Sequence, residues 1–565
     1  MLLLHLAPLI LAAILGQSTS QIPLQDLGHK VIDKKLSSYI QGQLDASNVT
    51  GASFAIVLPN GEVEFAAWGN RTEAGEPVKA ETIFNLGSCS KAFLSASLGV
   101  LMQDFVDGEN KTALPDGVTD FNWDTKIRDL LPGEWMTEDE WTTEKASLKD
   151  LLSHVTGLPA HDGSYSSDAS PRDIVARMRY LRAAYELRER YEYNNQMYVT
   201  GAYLVSKYSG SSYRDFVEER IFRPLGMKSS TLYPDRASET GKFTQSFTPS
   251  RRRIPFFMPE ETAELIAGAG GVMSTVEDMT LWVKMLLNAG VDAPTNATII
   301  PRTTFDLATS ALSIAVEQGD ESRSIIGYGL GWNRLSSYGH EVVLHNGGAA
   351  GVSTFVALYP HDGFGIVLLA NTHDLPTIDL SLGVGARVLG LPNRGFASED
   401  EMTPKPQTAQ TAHTSQIQTA PLPNLVGTYS NAGYGNLTLC SPLFPTSRHC
   451  LDVIQDFRTV DSAAGKPTSS VDLYSAWPRF WGSHFRLSQV AENEYTATLS
   501  NLYVDGYGAD RTAFEDHPTT MKVTFLVVEG KVLGFGLFDV ADKRSWRAKK
   551  GGSVKDTADV WFDRP

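Results

Sequence analysis

The chain has 565 residues, of which 42% are hydrophobic and 10% aromatic, and this content excludes wholesale disorder because it is enough to fill packed cores. Lysine and arginine number 49 against 65 acidic residues, so the formal charge is −16 and, without a basic block, nucleic acid is not an expected partner. Three cysteines exclude a fold built on disulfides and a cysteine-rich zinc module.

Residues 1–20 are predicted to be a secretory signal peptide. An apolar stretch runs from Leu2 to Gly16 and is followed by small polar residues. About fifteen apolar residues are too few for a membrane span of about 20 residues, but they suit the hydrophobic part of a signal peptide. We expect cleavage near Ser20, a secreted protein and no membrane span in the mature chain. An uncleaved anchor is the alternative, because no lysine or arginine precedes the apolar stretch.

Five glycosylation sequons of the type Asn-x-Ser/Thr agree with secretion. They lie at Asn48, Asn70, Asn110, Asn296 and Asn436. Sequons also occur by chance, so they support an extracellular location only together with the apolar leader.

Residues 27–395 combine the periodicities of strands and helices. Strand-like runs lie near both ends of this region and helical stretches lie between them. This order predicts an α/β domain in which early and late strands close one sheet and a helical lobe is inserted between them. The runs are 52–58, 355–359 and 365–369 for strands, and Lys91–Phe105, Arg172–Arg190 and Val276–Asn288 for helices.

Residues 396–423 are predicted to be a linker, because the run from Ala397 to Pro423 is rich in Thr, Gln, Ala and Pro and contains no aromatic residue. Beyond the linker, residues 424–565 contain short β-prone runs such as 495–499 and 521–528. A Glu-Gly turn at 529–530 leads into a further run, which indicates a hairpin. We expect a separate antiparallel β-domain.

The three cysteines fall in two places. Cys440 and Cys450 flank a short loop in the β-domain and could form a disulfide in an oxidising compartment, or they could be two unpaired thiols. Cys89 is the third cysteine and lies outside this possible pair. It adjoins a serine on a predicted helix and points away from it, so a buried cysteine without a chemical role is expected.

The sequence Ser88-Cys89-Ser90-Lys91 is the first candidate for chemistry. Asn85 is a predicted helix N-cap, which places Ser88 in the first turn and Lys91 one turn later on the same face. A lysine with a pKa near 10.4 is only about 0.04% neutral at pH 7, so burial or a second cation must lower its pKa before it can take a proton from serine. The alternative is that the serine caps a surface helix and the lysine is solvated, so that neither has a catalytic role.

Two later segments supply complementary groups. Tyr193 lies about a hundred residues after Ser88 and could relay a proton, and the amide of Asn195 could donate to a substrate carbonyl. The third segment is His345-Asn346-Gly347-Gly348, where small residues let a substrate lie against a sheet edge and expose an N–H as an oxyanion donor.

Other hydrolase signatures are missing. The sequence has no Gly-x-Ser-x-Gly, which argues against an α/β-hydrolase. His340 and His345 nearly form a zinc-binding motif, but their spacing of five would place them on different faces of a helix. We expect no metal and no cofactor.

The three segments, in this order, resemble the Ser-x-x-Lys, Tyr-x-Asn and Lys-Thr-Gly or His-x-Gly motifs of the serine β-lactamase and penicillin-binding-protein-like hydrolases. The resemblance is strongest to the class C, D-aminopeptidase and esterase branch and covers roughly Ile32 to Leu389. It implies a β-lactamase-like fold, with an antiparallel sheet flanked by helices, and a C-terminal β-barrel-like domain. Further similar phrases are 151–159, 224–227, 270–279 and 328–332.

The resemblance implies acyl transfer. Ser88 is the implied nucleophile, Lys91 assisted by Tyr193 the base, and Tyr193 the proton donor to the leaving group. The N–H groups of Ser88 and Gly348 are the implied oxyanion hole, and Asn195 would orient the acyl amide.

The third motif departs from the β-lactam-handling relatives, which usually have lysine where this chain has His345. A largely neutral histidine binds a substrate carboxylate less strongly, so the likeness favours an esterase or D-amino-acid peptidase over an efficient β-lactamase. A hydrogen-bonded residue at a strand end is the alternative role of His345.

A small molecule or peptide with an amide or ester bond is the expected substrate. An acyltransferase that uses the same acyl-enzyme and a catalytically silent binding protein are the alternatives. The identity of the substrate, the role of the β-domain and the oligomeric state do not follow from the sequence.

Overall fold

The computed structural model describes residues 30–391, 424–445, 447–538 and 546–565. The predicted signal peptide (1–20) and linker (396–423) lie outside the described residues. The described chain contains two eight-stranded sheets, one in residues 30–391 and one in residues 424–565. Within these ranges, no helix combines the length and the apolar character that a membrane crossing requires.

The first sheet is antiparallel and has the order β2-β1-β14-β13-β12-β11-β10-β9. Its early strand β1 pairs with β2 on one side and with the late strand β14 on the other. Early and late strands therefore close one sheet, as the sequence predicts. The strands of this region are β1 (Gly51–Val57), β2 (Val63–Gly69), β3 (Phe84–Asn85), β4 (Ser246–Phe247), β5 (Arg253–Ile254), β6 (Met273–Ser274), β7 (Val291–Asp292), β8 (Ala297–Thr298), β9 (Ser313–Val316), β10 (Ile326–Tyr328), β11 (Asn333–Ser337), β12 (His340–Ala349), β13 (Val352–Tyr359) and β14 (Phe364–Ala370).

Helices cover both faces of this sheet. The first and last helices pack together on one face, where Leu36, Ile40 and Leu380 share a buried cluster with the sheet. Helices inserted between β2 and β9 cover the other face and form the helical lobe. The helices of this region are α1 (Lys34–Ala46), α2 (Lys91–Asp107), α3 (Ile127–Leu130), α4 (Glu140–Lys145), α5 (Leu148–Leu152), α6 (Pro171–Arg177), α7 (Asn195–Ser209), α8 (Tyr213–Val217), α9 (Arg223–Leu225), α10 (Pro234–Glu239), α11 (Glu260–Gly270), α12 (Val276–Leu287), α13 (Arg302–Ala308) and α14 (Thr377–Val388).

The prediction of one helix over Arg172–Arg190 is wrong in its second half. Helix α6 ends at Arg177, and one 3₁₀ turn follows it. Backbone N–H groups further on bond to a distant loop instead of to a helix: Ala184 N donates to Gly157 O (2.8 Å) and Arg188 N to Val155 O (2.7 Å). Long-range hydrogen bonds therefore override the helical pattern.

The second sheet has the order β16-β15-β22-β21-β20-β19-β18-β17. Its ends meet where Cys440 and Tyr474 exchange two backbone hydrogen bonds (2.8 and 2.9 Å), which nearly closes the sheet into an antiparallel barrel. Glu529 and Gly530, both at positive φ, form the predicted hairpin turn between β20 and β21. The elements are β15 (Gly427–Asn431), β16 (Gly435–Leu439), α15 (Arg448–Ala463), β17 (Leu473–Ala476), β18 (His484–Ala491), β19 (Glu494–Tyr503), β20 (Phe514–Val528), β21 (Lys531–Phe538), α16 (Trp546–Lys550), α17 (Val554–Thr557) and β22 (Val560–Asp563).

A disulfide joins the barrel wall to helix α15. It links Cys440, directly after β16, with Cys450 in the first turn of α15, at a Cα–Cα distance of 5.2 Å. Both residues are buried. The bond therefore fixes the helix against the seam at which the barrel closes.

The barrel packs against the loop 160–165 of the first domain. Tyr434 Oη donates to His161 Nδ1 (2.7 Å), since the other ring nitrogen of His161 bonds to a carbonyl. Trp481 Nε1 donates to Tyr165 Oη (2.8 Å), and its ring stacks on Phe257. The two domains thus share hydrogen bonds and aromatic contacts around one loop.

Candidate active site

Ser88 lies in a tight turn at the start of helix α2. Residues Gly87–Ser90 form one 3₁₀ turn that leads directly into α2. The Asn85 side chain accepts from Gly87 N (2.8 Å) and donates to Gly270 O (2.9 Å), so it ties this turn to the end of α11. The prediction that Asn85 is the helix N-cap is wrong, because Asn85 lies in β3 and the 3₁₀ turn begins after Leu86.

Two groups converge on the hydroxyl of Ser88. Tyr193 Oη donates to Ser88 Oγ at 2.7 Å, and Lys91 Nζ lies 3.1 Å from the same oxygen. Ser88 and Tyr193 are partly exposed, while Lys91 is fully buried. The structure therefore brings the three predicted catalytic side chains together, although Tyr193 is 105 residues away from Ser88 in sequence.

Burial changes the protonation of Lys91. Desolvation lowers the pKa of its amine to about 7, and the nearby carboxylate of Asp162 only partly opposes this shift. The amine also lies 4.8 Å from the centre of the Tyr193 ring and 5.2 Å from that of Tyr198. A pKa near 7 makes about half of the amine neutral at neutral pH. The alternative prediction, in which Lys91 is a solvated surface residue, is therefore wrong.

The partners of Lys91 orient its lone pair. Besides Ser88 Oγ, the amine contacts Asn195 Oδ1 (2.8 Å) and the carbonyl of Ala269 (2.9 Å). Both of these oxygens can only accept, so they take the two N–H groups that this geometry offers them. The remaining position of a neutral amine is a lone pair directed at the hydroxyl of Ser88.

His154 positions Tyr193. It lies in the loop after α5 and accepts at two atoms: its carbonyl from Glu192 N (2.7 Å) and its Nδ1 from Asn194 N (3.1 Å). The His154 ring also lies 4.6 Å from the ring of Tyr193. Burial holds the pKa of His154 well below its usual range, so the imidazole remains an acceptor. Burial raises the pKa of Tyr193, which keeps the phenol protonated.

Asn195 is the first residue of helix α7, directly after the N-cap Asn194. Its Oδ1 is engaged by Lys91, and its Nδ2 lies 3.5 Å from Asp162 Oδ1. The side chain therefore links the lysine to a carboxylate in the cleft. Sequence reasoning did not single out Asp162, because no motif contains it and only the packing of loop 160–165 brings it to the site.

His345 is held inside the protein. Its Nδ1 donates to the carbonyl of Asn346 (2.6 Å), so its Nε2 accepts from Tyr328 Oη (3.1 Å). Burial lowers the pKa of His345 to about 3, so the ring is neutral at neutral pH. Both ring nitrogens have internal partners, which favours the role of a hydrogen-bonded strand residue over direct contact with a substrate.

The two glycines that follow His345 lie against the turn of Ser88. A Cβ on Gly347 would lie 2.1 Å from the carbonyl oxygen of Leu86, so strand β12 can approach the turn only with glycine here. Gly348 is exposed, and its N would be 3.0 Å from a Cβ on Gly87. Cys89 secures the same contact, because its buried thiol donates to the carbonyl of His345 (3.2 Å). Burial raises the pKa of this thiol to about 12.

The remaining predicted sites lie away from this cluster. Of the sequon asparagines, Asn48, Asn70, Asn296 and Asn436 are exposed, whereas Asn110 is half-buried and donates its Nδ2 to Thr112 O (2.8 Å). His340 and His345 are both in strand β12. Among the described residues, no group of three or more His, Cys, Asp or Glu side chains could hold a metal ion.

The chain is similar in sequence to known proteins. The chain is 29% identical over 348 residues to an unguisins hydrolase from Aspergillus campestris, which covers 60% of this chain and 62% of that relative, less than two thirds of its length.

Two solved structures share the fold. The octameric penicillin-binding protein homologue from Pyrococcus abyssi covers 90% of this chain and 98% of its own, at 18% identity and a TM-score of 0.53. A class C beta lactamase from Rhodobacter sphaeroides covers 63% of this chain and 99% of its own, at 17% identity and a TM-score of 0.50. The Beta-lactamase family model matches residues 36–382, more than half of the chain, and the protein therefore belongs to the beta-lactamase family.

Proposed function

We propose that this protein is a secreted serine hydrolase that cleaves amide or ester bonds through an acyl-enzyme on Ser88. One observation carries the proposal: Ser88 Oγ lies 2.7 Å from a protonated phenol and 3.1 Å from a buried amine with a pKa of about 7. Membership of the beta-lactamase family supports the same chemistry. The apolar leader and the exposed sequons support secretion.

Acylation begins with proton transfer from Ser88. The Ser88 hydroxyl gives its proton to the neutral amine of Lys91 while Oγ forms a bond to the substrate carbonyl carbon, and the π electrons move to the carbonyl oxygen. When the tetrahedral intermediate collapses, the bond to the leaving nitrogen or oxygen breaks. Tyr193 gives its proton to the leaving group, and the proton held by Lys91 returns to the phenol oxygen.

The negative charge on the carbonyl oxygen needs two donors. We assign this role to the backbone N–H groups of Ser88 and Gly348. The contact between the Ser88 turn and strand β12, which glycines at 87 and 347 permit, supports this assignment. A single donor of this kind is worth about 2.7–4 kcal/mol in comparable sites.

Deacylation reverses the proton path. Water gives a proton to the neutral amine of Lys91, assisted by Tyr193, as its oxygen bonds to the acyl carbon. Ser88 Oγ then leaves and takes the proton back, so the enzyme returns to its starting state. This intact path supports catalysis over the silent binding protein.

The substrate is an ester or a peptide with D-amino acids rather than a β-lactam. His345 is neutral and internally bonded, so it offers no cation for the carboxylate that β-lactams carry. The cleft instead presents the carboxyl group of Asp162, which repels such an anion. The name of the relative, an unguisins hydrolase, agrees with a hydrolytic role.

Intact-mass spectrometry tests the proposal. D-peptides and esters should give an acyl adduct on the wild-type protein and none on Ser88→Ala, and β-lactams tested beside them should acylate the wild-type protein less. A folded wild-type protein that neither hydrolyses nor acquires an adduct from any ester or amide would overturn it. Product analysis with and without an alcohol or amine acceptor separates hydrolysis from the acyltransferase alternative, because only the latter leads mainly to the transferred product.

A further inference from the structure

The mouth of the C-terminal barrel forms one wall of a cavity beside Ser88. This cavity has a volume of about 350 Å³ and is lined by residues of both domains. The first domain contributes Asn195 and Gly348, and the barrel contributes Trp477, Trp481 and Met521. The cavity therefore borders the catalytic groups, because Asn195 bonds to Lys91 (2.8 Å) and Gly348 lies against the turn of Ser88.

The barrel side of the cavity is apolar. Leu499, Met521 and Leu537 point to the barrel interior at its mouth, next to the two tryptophans. One level deeper, the barrel is filled, since the rings of Phe535 and Phe562 stack at 4.8 Å and close the interior. The cavity is thus a blind pocket that suits a large apolar side chain.

Two acidic side chains lie among the polar groups that line the cavity. Asp162 and Asp374 line it, and the described lining residues include no lysine or arginine. His373, which also lines it, lies 3.8 Å from Asp516. A substrate carboxylate entering this cavity would lose water without gaining a cation, so an anionic side chain is disfavoured.

Hydrogen bonds hold the barrel wall in register with the catalytic groups. Trp481 Nε1 donates to Tyr165 Oη (2.8 Å), and Tyr165 Oη donates to Asp162 Oδ1 (2.5 Å). Asp162 in turn faces Asn195, the partner of Lys91. The position of the barrel relative to Ser88 is therefore fixed by a chain of side chains rather than by a loose docking contact.

We propose that the barrel mouth is a substrate pocket, which accepts an aromatic or branched apolar side chain next to the bond cleaved at Ser88 and rejects an acidic one. This inference rests on the proposed hydrolase function and deepens it by naming the substrate class. The substrates are amides or esters whose group nearest the cleaved bond is bulky, apolar and without negative charge. The barrel is thus a part of the active site and sets specificity.

Matched p-nitrophenyl esters test the pocket. The N-acetyl-D-phenylalanine and N-acetyl-D-alanine esters differ only in the phenyl ring, and each is measured with its L enantiomer. Wild-type kcat/KM should favour the phenylalanine ester by about tenfold or more. Met521→Trp, which fills the pocket, should lower this ratio by about tenfold. Its control, Thr520→Trp, places the same bulk on the adjacent, exposed residue of β20, which faces out of the barrel, and should leave the ratio within about twofold.

The charge preference has its own pair of esters. The N-acetyl-D-glutamine and N-acetyl-D-glutamate esters have nearly the same shape, and the acidic one should react about tenfold more slowly. If Met521→Trp does not fold, Met521→Ala should still lower the phenylalanine-to-alanine ratio by about threefold through lost contact.

The outcomes separate the two proposals. If the wild-type protein neither hydrolyses any of these esters nor forms an adduct on Ser88, the hydrolase function is overturned. An adduct on Ser88 together with a phenylalanine-to-alanine ratio near one, or the same ratio in Met521→Trp and Thr520→Trp, would overturn the pocket alone. Equal rates for the glutamine and glutamate esters would overturn the rejection of acidic side chains.

Discussion

The two domains contribute to the cleft in different ways. The first domain supplies the groups that we propose exchange protons, and these are held by hydrogen bonds of 2.7–3.1 Å around Ser88 and Lys91. The barrel supplies apolar walls such as Trp477 and Met521. Proton transfer requires donors and acceptors in fixed positions, whereas an apolar pocket wall requires only a shape that fits the substrate. Under these two proposals, the chemical step depends on short motifs, and substrate selectivity depends on a domain without such motifs.

Loss of the phenol tests the catalytic side of this comparison most strongly. Tyr193→Phe keeps the ring but removes the proton donor 2.7 Å from Ser88 Oγ, and kcat for ester hydrolysis should fall by about 10²–10⁴-fold. Steady-state kinetics would measure this loss. The matched control is Tyr191→Phe on the same segment, which should stay within about threefold. Equal losses in the two variants would show that Tyr193 has only a structural role.

The disulfide tests whether the barrel can lose stability while the chemistry stays intact. The double variant Cys440→Ser, Cys450→Ser opens a loop with a sequence separation of 10, which should lower the free energy of unfolding of the barrel by about 2–3 kcal/mol. Denaturant unfolding followed by tryptophan fluorescence measures the change. At 25 °C, the folded variant should still form the Ser88 adduct. Unchanged stability would contradict the expectation.

The pH profile tests the buried amine. Because burial lowers the pKa of Lys91 to about 7, the neutral base forms as pH rises through that value. We expect kcat/KM to fall about tenfold per pH unit below pH 7 and to level off above it. His345, with a pKa of about 3, and Tyr193, whose pKa is raised, do not titrate in this range.

One variant tests whether this acidic limb belongs to Lys91. Asp162→Asn removes the carboxylate that raises the pKa of the amine, so the limb should move to lower pH. A limb that stays in place would assign it to another group.

The smallest expected effect concerns the link between the domains. Trp481→Phe keeps an aromatic ring beside Phe257 but removes the Nε1–H that donates to Tyr165 Oη. A net loss of about 1 kcal/mol should lower kcat/KM for the N-acetyl-D-phenylalanine ester by about fivefold. The exposed Trp141, changed to phenylalanine, is the control and should have no effect. A loss as large as that of Tyr193→Phe would show that the barrel contributes to the chemical step and does not only form a wall of the pocket.

Much of the site follows from the sequence. The i, i+3 spacing of Ser88 and Lys91 places both on one face, and the order of the three motifs leads to Tyr193. For His345 the sequence predicts direct contact with a substrate, whereas the structure favours a structural role. Its two ring nitrogens bond to a neighbouring carbonyl and to Tyr328, which is adjacent only in space. Asp162 escapes sequence reasoning for the same reason, since an isolated aspartate carries no signal of its surroundings.

The fold, like the site, is predicted by the sequence only in part. Runs of alternating or continuous apolar residues identify β1, β13 and β14, and the hairpin of the barrel follows from its Glu-Gly turn. The prediction of a helix at 172–190 is wrong in its second half, because backbone N–H groups there bond to carbonyls of a distant loop.

By itself, the sequence determined the local elements and the residues that we propose carry the chemistry, because the spacing along one helix or strand fixes which side chains share a face. The tertiary structure alone decided the properties that depend on distant partners. It buried Lys91 and so lowered its pKa to about 7, and it brought a phenol 105 residues away to within 2.7 Å of Ser88. It also placed the barrel mouth beside the site. Desolvation and long-range contacts arise only when the whole chain has packed.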